Sequence, residues 1–175
     1  MEIPGLGVVE EDDAAGWWLG SERPIAVLGG TLCRIVVEGY DEDENKQDFH
    51  RAIANFLAAD EAVLKAVSSE VFAYYQDMVA YTSPGDEAYV RISSPDDVWS
   101  HVQFGYEPLV SRHSYGDKRV YVSLECNCDW EPEHGLQIVF RDGSRVCKVG
   151  PYDGHLTNGS AFDDESLQEV IYRRL

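Results

Sequence analysis

Val120-Tyr121-Val122-Ser123-Leu124-Glu125-Cys126 alternates without a break. Val120, Val122, Leu124 and Cys126 fall on one face, and Arg119, Tyr121, Ser123 and Glu125 on the other, the period-two pattern of a strand packed on one side. Leu136, Ile138 and Phe140 repeat it, and Asp142-Gly143 is a hairpin signal leading into Val146-Cys147-Lys148-Val149. With Leu109 and Val110 ahead of a turn at Tyr115-Gly116-Asp117-Lys118, residues 104–149 predict an antiparallel meander. Its polar face either meets water or carries the site.

Outward from the meander, residues 5–39 predict short antiparallel strands over 6–9, 16–19 continuing to 25–27, and 32–37. Glu10-Glu11-Asp12-Asp13 joins the first two, and the glycines of Leu28-Gly29-Gly30-Thr31 suit a tight turn before the third. Cys33 is expected in the core. Asp41-Glu42-Asp43-Glu44 precedes a helical pattern, where negative charge meets the positive end of the helix dipole. That pattern runs through Phe49, Ile53, Phe56 and Leu57 and resumes with Val63, Leu64, Val67, Val71, Tyr74, Tyr75 and Met78, as two helices or one kinked helix. Asp60 is an N-cap candidate and Pro84-Gly85 a stop; Phe72, Tyr74 and Tyr75 are core packing. Ser94-Pro95-Asp96-Asp97 opens a short helix over 95–102, with His101 at its carboxyl end. A closing helix is expected at Leu167, Val170 and Ile171, after the acidic run Asp163-Asp164-Glu165. The order strands, helices, strands gives an α+β fold. An antiparallel sheet of N-terminal strands plus the C-terminal meander carries the inserted helical segment on one face, as one domain over residues 1–175.

The 175 residues hold 14 basic and 32 acidic side chains, a net charge of −18. A field of that sign repels nucleic-acid phosphates and anionic membrane surfaces, so neither is an expected partner, whereas it steers a basic protein inward. No apolar run reaches the length of a membrane span, and Met1-Glu2-Ile3-Pro4-Gly5 has no signal-peptide character. The four cysteines follow no disulfide pattern. A cytoplasmic protein with reduced thiols is the expectation.

Reactive side chains concentrate at Cys126-Asn127-Cys128-Asp129-Trp130-Glu131-Pro132-Glu133-His134-Gly135 and at Pro151-Tyr152-Asp153-Gly154-His155, both at strand ends. Cys126-Asn127-Cys128 is one residue short of a zinc-knuckle pair and has no matching second pair. Glu131 and His134 have the spacing of helical metal ligands, but Pro132 and Gly135 oppose a helix there, so no metal or cofactor is expected. No serine sits in an elbow motif, an acidic setting raises the Cys128 thiol pKa, and no glycine-rich loop opens a helix for phosphate. Two readings of the first loop remain: a structural hairpin loop with Trp130 packed back on the sheet, or a binding surface.

The segment from Cys128 to Leu136, with Asp142-Gly143 and Val149-Gly150 after it, resembles the signature of a bacterial family of unknown function. Trp17-Trp18, Phe72-Ala73-Tyr74-Tyr75 and Ser94-Pro95-Asp96-Asp97-Val98 are similar to that family too, so the likeness spans roughly residues 5–150. It implies small, acidic, cytoplasmic bacterial proteins of no established activity, some of the kind encoded near toxins as immunity proteins. Charge and resemblance together favour a non-enzymatic protein that masks a basic partner such as a toxin. Trp130, Glu131, Glu133, His134, Asp153 and His155 are its expected binding residues. A metal-dependent or carboxylate-based hydrolase using Glu131, Glu133, His134, Asp153 and His155 is the alternative, and a self-associating protein with an apolar patch around Trp17, Trp18 and Trp99 a third.

Overall fold

The alternation at residues 120–126 produces the longest strand, β10, and the fold is arranged about it. A computed structural model describes residues 1–12 and 14–174; Asp13, expected in the first turn, and Leu175 lie outside the described residues. In chain order the strands are β1 (Glu2–Ile3), β2 (Gly7–Val8), β3 (Glu10–Asp12), β4 (Trp17–Leu19), β5 (Arg23–Ile25), β6 (Thr31–Cys33) and β7 (Val36–Glu38). Helices α1 (Lys46–Ala58), α2 (Ala62–Lys65) and α3 (Ser68–Val79) follow, then a 3-10 helix at Pro95–His101. The chain continues with β8 (Val102–Phe104), β9 (Leu109–Arg112), β10 (Val120–Cys128), β11 (Leu136–Arg141), β12 (Arg145–Gly150) and α4 (Asn158–Phe162).

The main sheet runs β12-β11-β10-β9-β7-β4-β3, with β8 on β10 beyond the end of β9. Every pair is antiparallel except β7 with β9, which is parallel because the helical insertion returns the chain to the same edge. Its core face is apolar, as the alternation predicts: Val120, Val122, Leu124, Ile138 and Phe140 are all fully buried. Helix α1 packs on it through Phe49, Ala52, Ile53 and Phe56, with the Phe56 and Phe140 rings edge to face at 5.2 Å. The β11–β12 turn has Asp142 at φ 50° and Gly143 at φ 66°. A Cβ on Gly143 would lie 2.0 Å from the Ala52 carbonyl oxygen, so glycine is what lets α1 come this close. Asn55 Nδ2 fixes the contact by donating to the Asp142 carbonyl at 2.9 Å.

Several boundaries differ from the periodicity. Glu10–Asp12 is a strand paired with β4 rather than a turn. Ala26–Leu28 forms a 3-10 turn, not a strand, and Gly29 closes it in the left-handed region. The expected strand over 32–37 breaks into β6 and β7 because the intervening residues bond elsewhere: the Arg34 N–H donates to the Tyr106 carbonyl, and the Ile35 carbonyl accepts from Gly20. The second helical stretch divides at Val67, whose φ of −115° leaves the helical region. Ser94 precedes a 3-10 rather than an α-helix, and its hydroxyl donates to the Asp97 carboxylate instead of capping an N–H. No closing helix forms at Leu167–Ile171. A 3-10 turn at Glu165–Leu167 leads into chain that lies along β12, where the Val149 N–H donates to the Ile171 carbonyl at 2.8 Å. All four cysteines are buried and free. Among the described residues no helix is long and apolar enough to cross a membrane.

The contact between α3 and the hairpin rests on Tyr74, whose buried hydroxyl donates to the Gly135 carbonyl at 2.9 Å. Tyr74→Phe is expected to cost about 1–2 kcal/mol in urea unfolding, the typical effect of stranding a buried carbonyl. Trp130→Ala should cost about 3–5 kcal/mol as a core truncation; a change under about 1 kcal/mol would place Trp130 on the surface instead.

Candidate functional site

Beyond Cys128 on the core side of β10, the chain turns inward before it turns back. The Trp130 indole is therefore 1% exposed, edge-on to Tyr74 at 6.1 Å and to Tyr75 at 6.0 Å. As an expected partner-contacting aromatic, Trp130 is corrected: it is the hairpin's anchor in the core. Glu131 folds over the turn, its Oε1 accepting from the backbone N–H groups of Glu133 at 3.0 Å and His134 at 3.2 Å. His134 Nδ1 lies 3.5 Å from the same oxygen. One potential ligand atom from each of Glu131, Glu133 and His134 comes within 4.8 Å of the others, and Asp153 and His155 are not in that group. Glu131 and Glu133 open onto a recess of about 370 Å³ beside Met78, Tyr81 and Thr82. Burial pushes the Cys126 and Cys128 thiols up to about 12, which suits packing rather than nucleophilic or metal-binding chemistry.

The two loops meet at the backbone, where the Tyr152 N–H donates to the His134 carbonyl at 3.2 Å. Their side chains diverge from there. Asp153 Oδ1 accepts from Lys148 Nζ at 2.6 Å and from the His155 N–H at 2.8 Å. The Lys148 side chain is 2% exposed; burial draws its ammonium pKa down, and the hydrogen bond and charge of Asp153 pull against that. Lys148 Nζ also donates to Gln137 Oε1 at 2.7 Å, and Gln137 Nε2 to Ser123 Oγ at 2.9 Å. Asp153 is thus a counter-ion at the end of a buried polar chain.

That chain crosses the second face of the sheet, which is buried as well. Tyr121, Val139 and Cys147 form a small apolar cluster there with Leu156, under the segment that follows β12. A bulge opposite Val139 and Phe140 turns both Cys147 and Lys148 to this side. The segment does not reach across to β9. The uncovered part is a cleft of about 1290 Å³, floored by Ser111, Ser123, Gln137 and Arg141. Glu38, Asp43 and the 113–117 loop stand on one side, and His155 with residues 159–169 on the other.

Seven carboxylates and three guanidinium groups line this cleft. Arg112 holds Asp43 through two hydrogen bonds, at 2.5 and 2.9 Å, and reaches Asp48 at 3.0 Å. Those hydrogen bonds keep the Asp43 carboxyl below its usual range against the opposing effect of burial. Asp117 accepts from the Tyr121 hydroxyl at 2.7 Å. Arg141, 4% exposed, binds Glu169 and donates to the Gln168 carbonyl at 3.0 Å, while its Nε has no hydrogen-bond partner among the described residues. Glu38, Asp163 and Glu165 have no ion-pair partner among them either. Of the six expected residues only His155 lines the cleft. The signal for it lay in the polar face of β10, where serine and tyrosine stand at positions that an exposed strand would fill with charge.

The chain belongs to the family described as Domain of unknown function (DUF6985), whose model matches residues 5–156. No curated protein and no solved structure matches it.

Removing Asp153 strands a buried ammonium, whereas replacing Lys148 removes the charge itself. Asp153→Asn should destabilise by about 1–3 kcal/mol, and Lys148→Met, which strands only the Gln137 amide oxygen, should cost less in the same unfolding assay; equal losses would contradict the counter-ion role. A second outcome concerns acid. The depressed Asp43 pKa adds stability that is complete above the unfolded-state value of about 3.9 and is lost as pH falls through the lower folded value. Asp43→Asn is expected to lower stability at pH 7 and to flatten the loss below about pH 4.

Proposed function

We propose that this protein is a non-enzymatic binding protein that receives a basic protein partner in the acidic cleft and masks it, in the manner of an immunity protein against a cationic toxin. One observation carries the reading. Glu38 on one wall and Asp163 and Glu165 on the other are carboxylates without ion pairs among the described residues, facing one cleft in a chain of net charge −18. Unpaired like charges held together repel one another, and a cationic partner relieves that repulsion while the wider field accelerates encounter. The other carboxylates of the cleft are engaged by arginines or hydrogen bonds, which fixes the walls. The resemblance to small acidic bacterial proteins found near toxins agrees with this role, in the cytoplasm where such partners are made.

The Glu131–Glu133–His134 group supports a second reading, a metal-dependent hydrolase, because one ligand atom from each of the three residues lies within 4.8 Å of the others. Against it, Glu131 Oε1 already serves two backbone donors, and Asp153 is committed to Lys148.

The two readings separate in a tagged capture from the native cell, washed at low and then high salt, with the captured proteins identified by mass. Capture of one basic protein that leaves as salt rises is expected. Asp163→Asn with Glu165→Gln should slow its association about tenfold at low salt and weaken the salt dependence. Glu131→Gln with Glu133→Gln should leave that rate near the wild-type value. The opposite ranking would move the interface to the hairpin loop, and recovery of no basic protein would remove the proposal.

A further inference from the structure

The register of the sheet sets a row of side chains on the cleft floor. Val37 of β7 pairs with Val110 of β9, and Val110 with Val122 of β10; all three are fully buried on the core side. Successive residues of a strand take opposite faces, and neighbouring strands lie about 4.8 Å apart. Glu38 and Ser111, which follow Val37 and Val110, therefore stand side by side on the cleft side. Ser111 is opposite Tyr121, which belongs to the small apolar cluster of that same face, and Ser123 shares the face two residues along β10. Glu38, Ser111 and Ser123 all line the cleft.

Ser111 is the group that the fold itself does not use. It is 8% exposed, and its hydroxyl has no hydrogen-bond partner among the described residues. Ser123, 7% exposed, accepts from Gln137 Nε2 at 2.9 Å, and its own O–H has no acceptor there either. Polar groups enclosed to this degree are normally paired, so the floor suits a ligand that brings polar atoms down to it. Beside Ser111 stands Glu38, and across the cleft stand Asp163 and Glu165. A carboxylate and a hydroxyl on adjacent strands complement an ammonium and a hydroxyl on adjacent carbons. Tyr152 at the edge of the cleft is 41% exposed, and Tyr115 on the 113–117 loop is fully exposed; such rings attract ammonium groups and pack against the C–H faces of sugars. A protonated polyamine neutralises the walls but brings no acceptor for the two serine O–H groups. A neutral sugar serves the floor and leaves the charge of the walls unrelieved. An amino sugar does both.

We infer that the cleft is a binding site for a polycationic amino-sugar oligosaccharide. The ammonium and neighbouring hydroxyl of one ring meet Glu38 and Ser111, a further hydroxyl accepts from Ser123, and the ammonium groups of other rings meet Asp163 and Glu165. The volume of about 1290 Å³ exceeds the range of about 300–1,000 Å³ usual for one small ligand and accommodates several rings. This goes beyond the proposed function: it gives the same walls a second ligand, which excludes the basic protein while it is bound.

The test is calorimetric titration of the whole protein at about pH 6 with three ligands. The first is the linear glucosamine trimer, the second its fully N-acetylated form, which keeps the rings and hydroxyls without charge, and the third spermidine, which keeps the charge without hydroxyls. The glucosamine trimer should bind at least about tenfold more tightly than either comparator. Ser111→Ala should weaken the trimer about tenfold, the loss typical of one hydrogen bond, and leave spermidine unchanged. Asp163→Asn with Glu165→Gln should weaken both cations. The inference is overturned if the trimer does not bind, if spermidine or the N-acetylated trimer binds as tightly, if Ser111→Ala binds the trimer normally, or if the wall variant changes nothing. Ser111→Ala removes only an unpaired hydroxyl, and the three-ligand comparison on the unaltered protein decides the matter even if that variant fails to fold. Failure here leaves the capture experiment standing, because a protein partner meets the walls without needing the floor.

Discussion

The structure depends on one constraint: the β10–β12 sheet is buried on both faces, and only one of them is apolar. The core face buries aliphatic and aromatic side chains against α1 and α3, and the hydrophobic effect suffices there. The second face carries Ser123, Gln137, Arg141 and Lys148, all under 8% exposed. Polar and charged groups in that position are tolerable only when paired. Their partners come from the chain after β12: Asp153 for Lys148, and Glu169 with the Gln168 carbonyl for Arg141. The last segment is therefore held by charge and hydrogen bonds as well as by the packing of Leu156, Ile171 and Tyr172. Where it stops short, the same polar face becomes the floor of the cleft.

This arrangement divides the negative charge into separate duties. Glu10, Glu11 and Asp12 form the edge strand β3, where carboxylates discourage pairing with another chain. Asp43 and Asp48 are structural, since Arg112 bridges them and ties the entry of α1 to β9. The run at 163–165 faces the cleft. Net charge alone gives the proposed basic partner no location; the third group, with Glu38 opposite, supplies one. The family model ends at residue 156, so the carboxylate wall at 163–169 lies beyond the matched region, while the floor lies within it.

Where periodicity controls burial, the fold was legible in the sequence. The α+β class, the alternation of β10, the Asp142-Gly143 hairpin and the apolar face of α1 all follow from local pattern, because each side chain's face is set by its own strand or helix. The misplaced features depend on distant partners. Nothing near Arg34 and Ile35 announces that Tyr106 and Gly20 will take their backbone groups. Leu167, Val170 and Ile171 have helical spacing, yet hydrogen bonds donated by β12 and by Asn158 to the Val170 and Ile171 carbonyls hold this stretch as non-helical chain. The Trp130 loop is dense in reactive side-chain types, but density does not report burial; Tyr74 and Tyr75, distant in sequence, enclose the indole. The cleft was the least legible feature, since its walls come from residues 38–43, 113–117 and 155–169 and meet only in three dimensions.

The central claim is that cationic polypeptide is received on the second face of the sheet. Amide chemical-shift mapping of the isotope-labelled protein, titrated with an arginine-rich peptide, tests it most directly. Saturable shifts are expected to concentrate at Ser111, Ser123, the 113–117 loop and residues 159–169, with β3 and residues 131–134 unmoved. Shifts centred on Glu131, Glu133 and His134, or spread evenly over every acidic run, would contradict it.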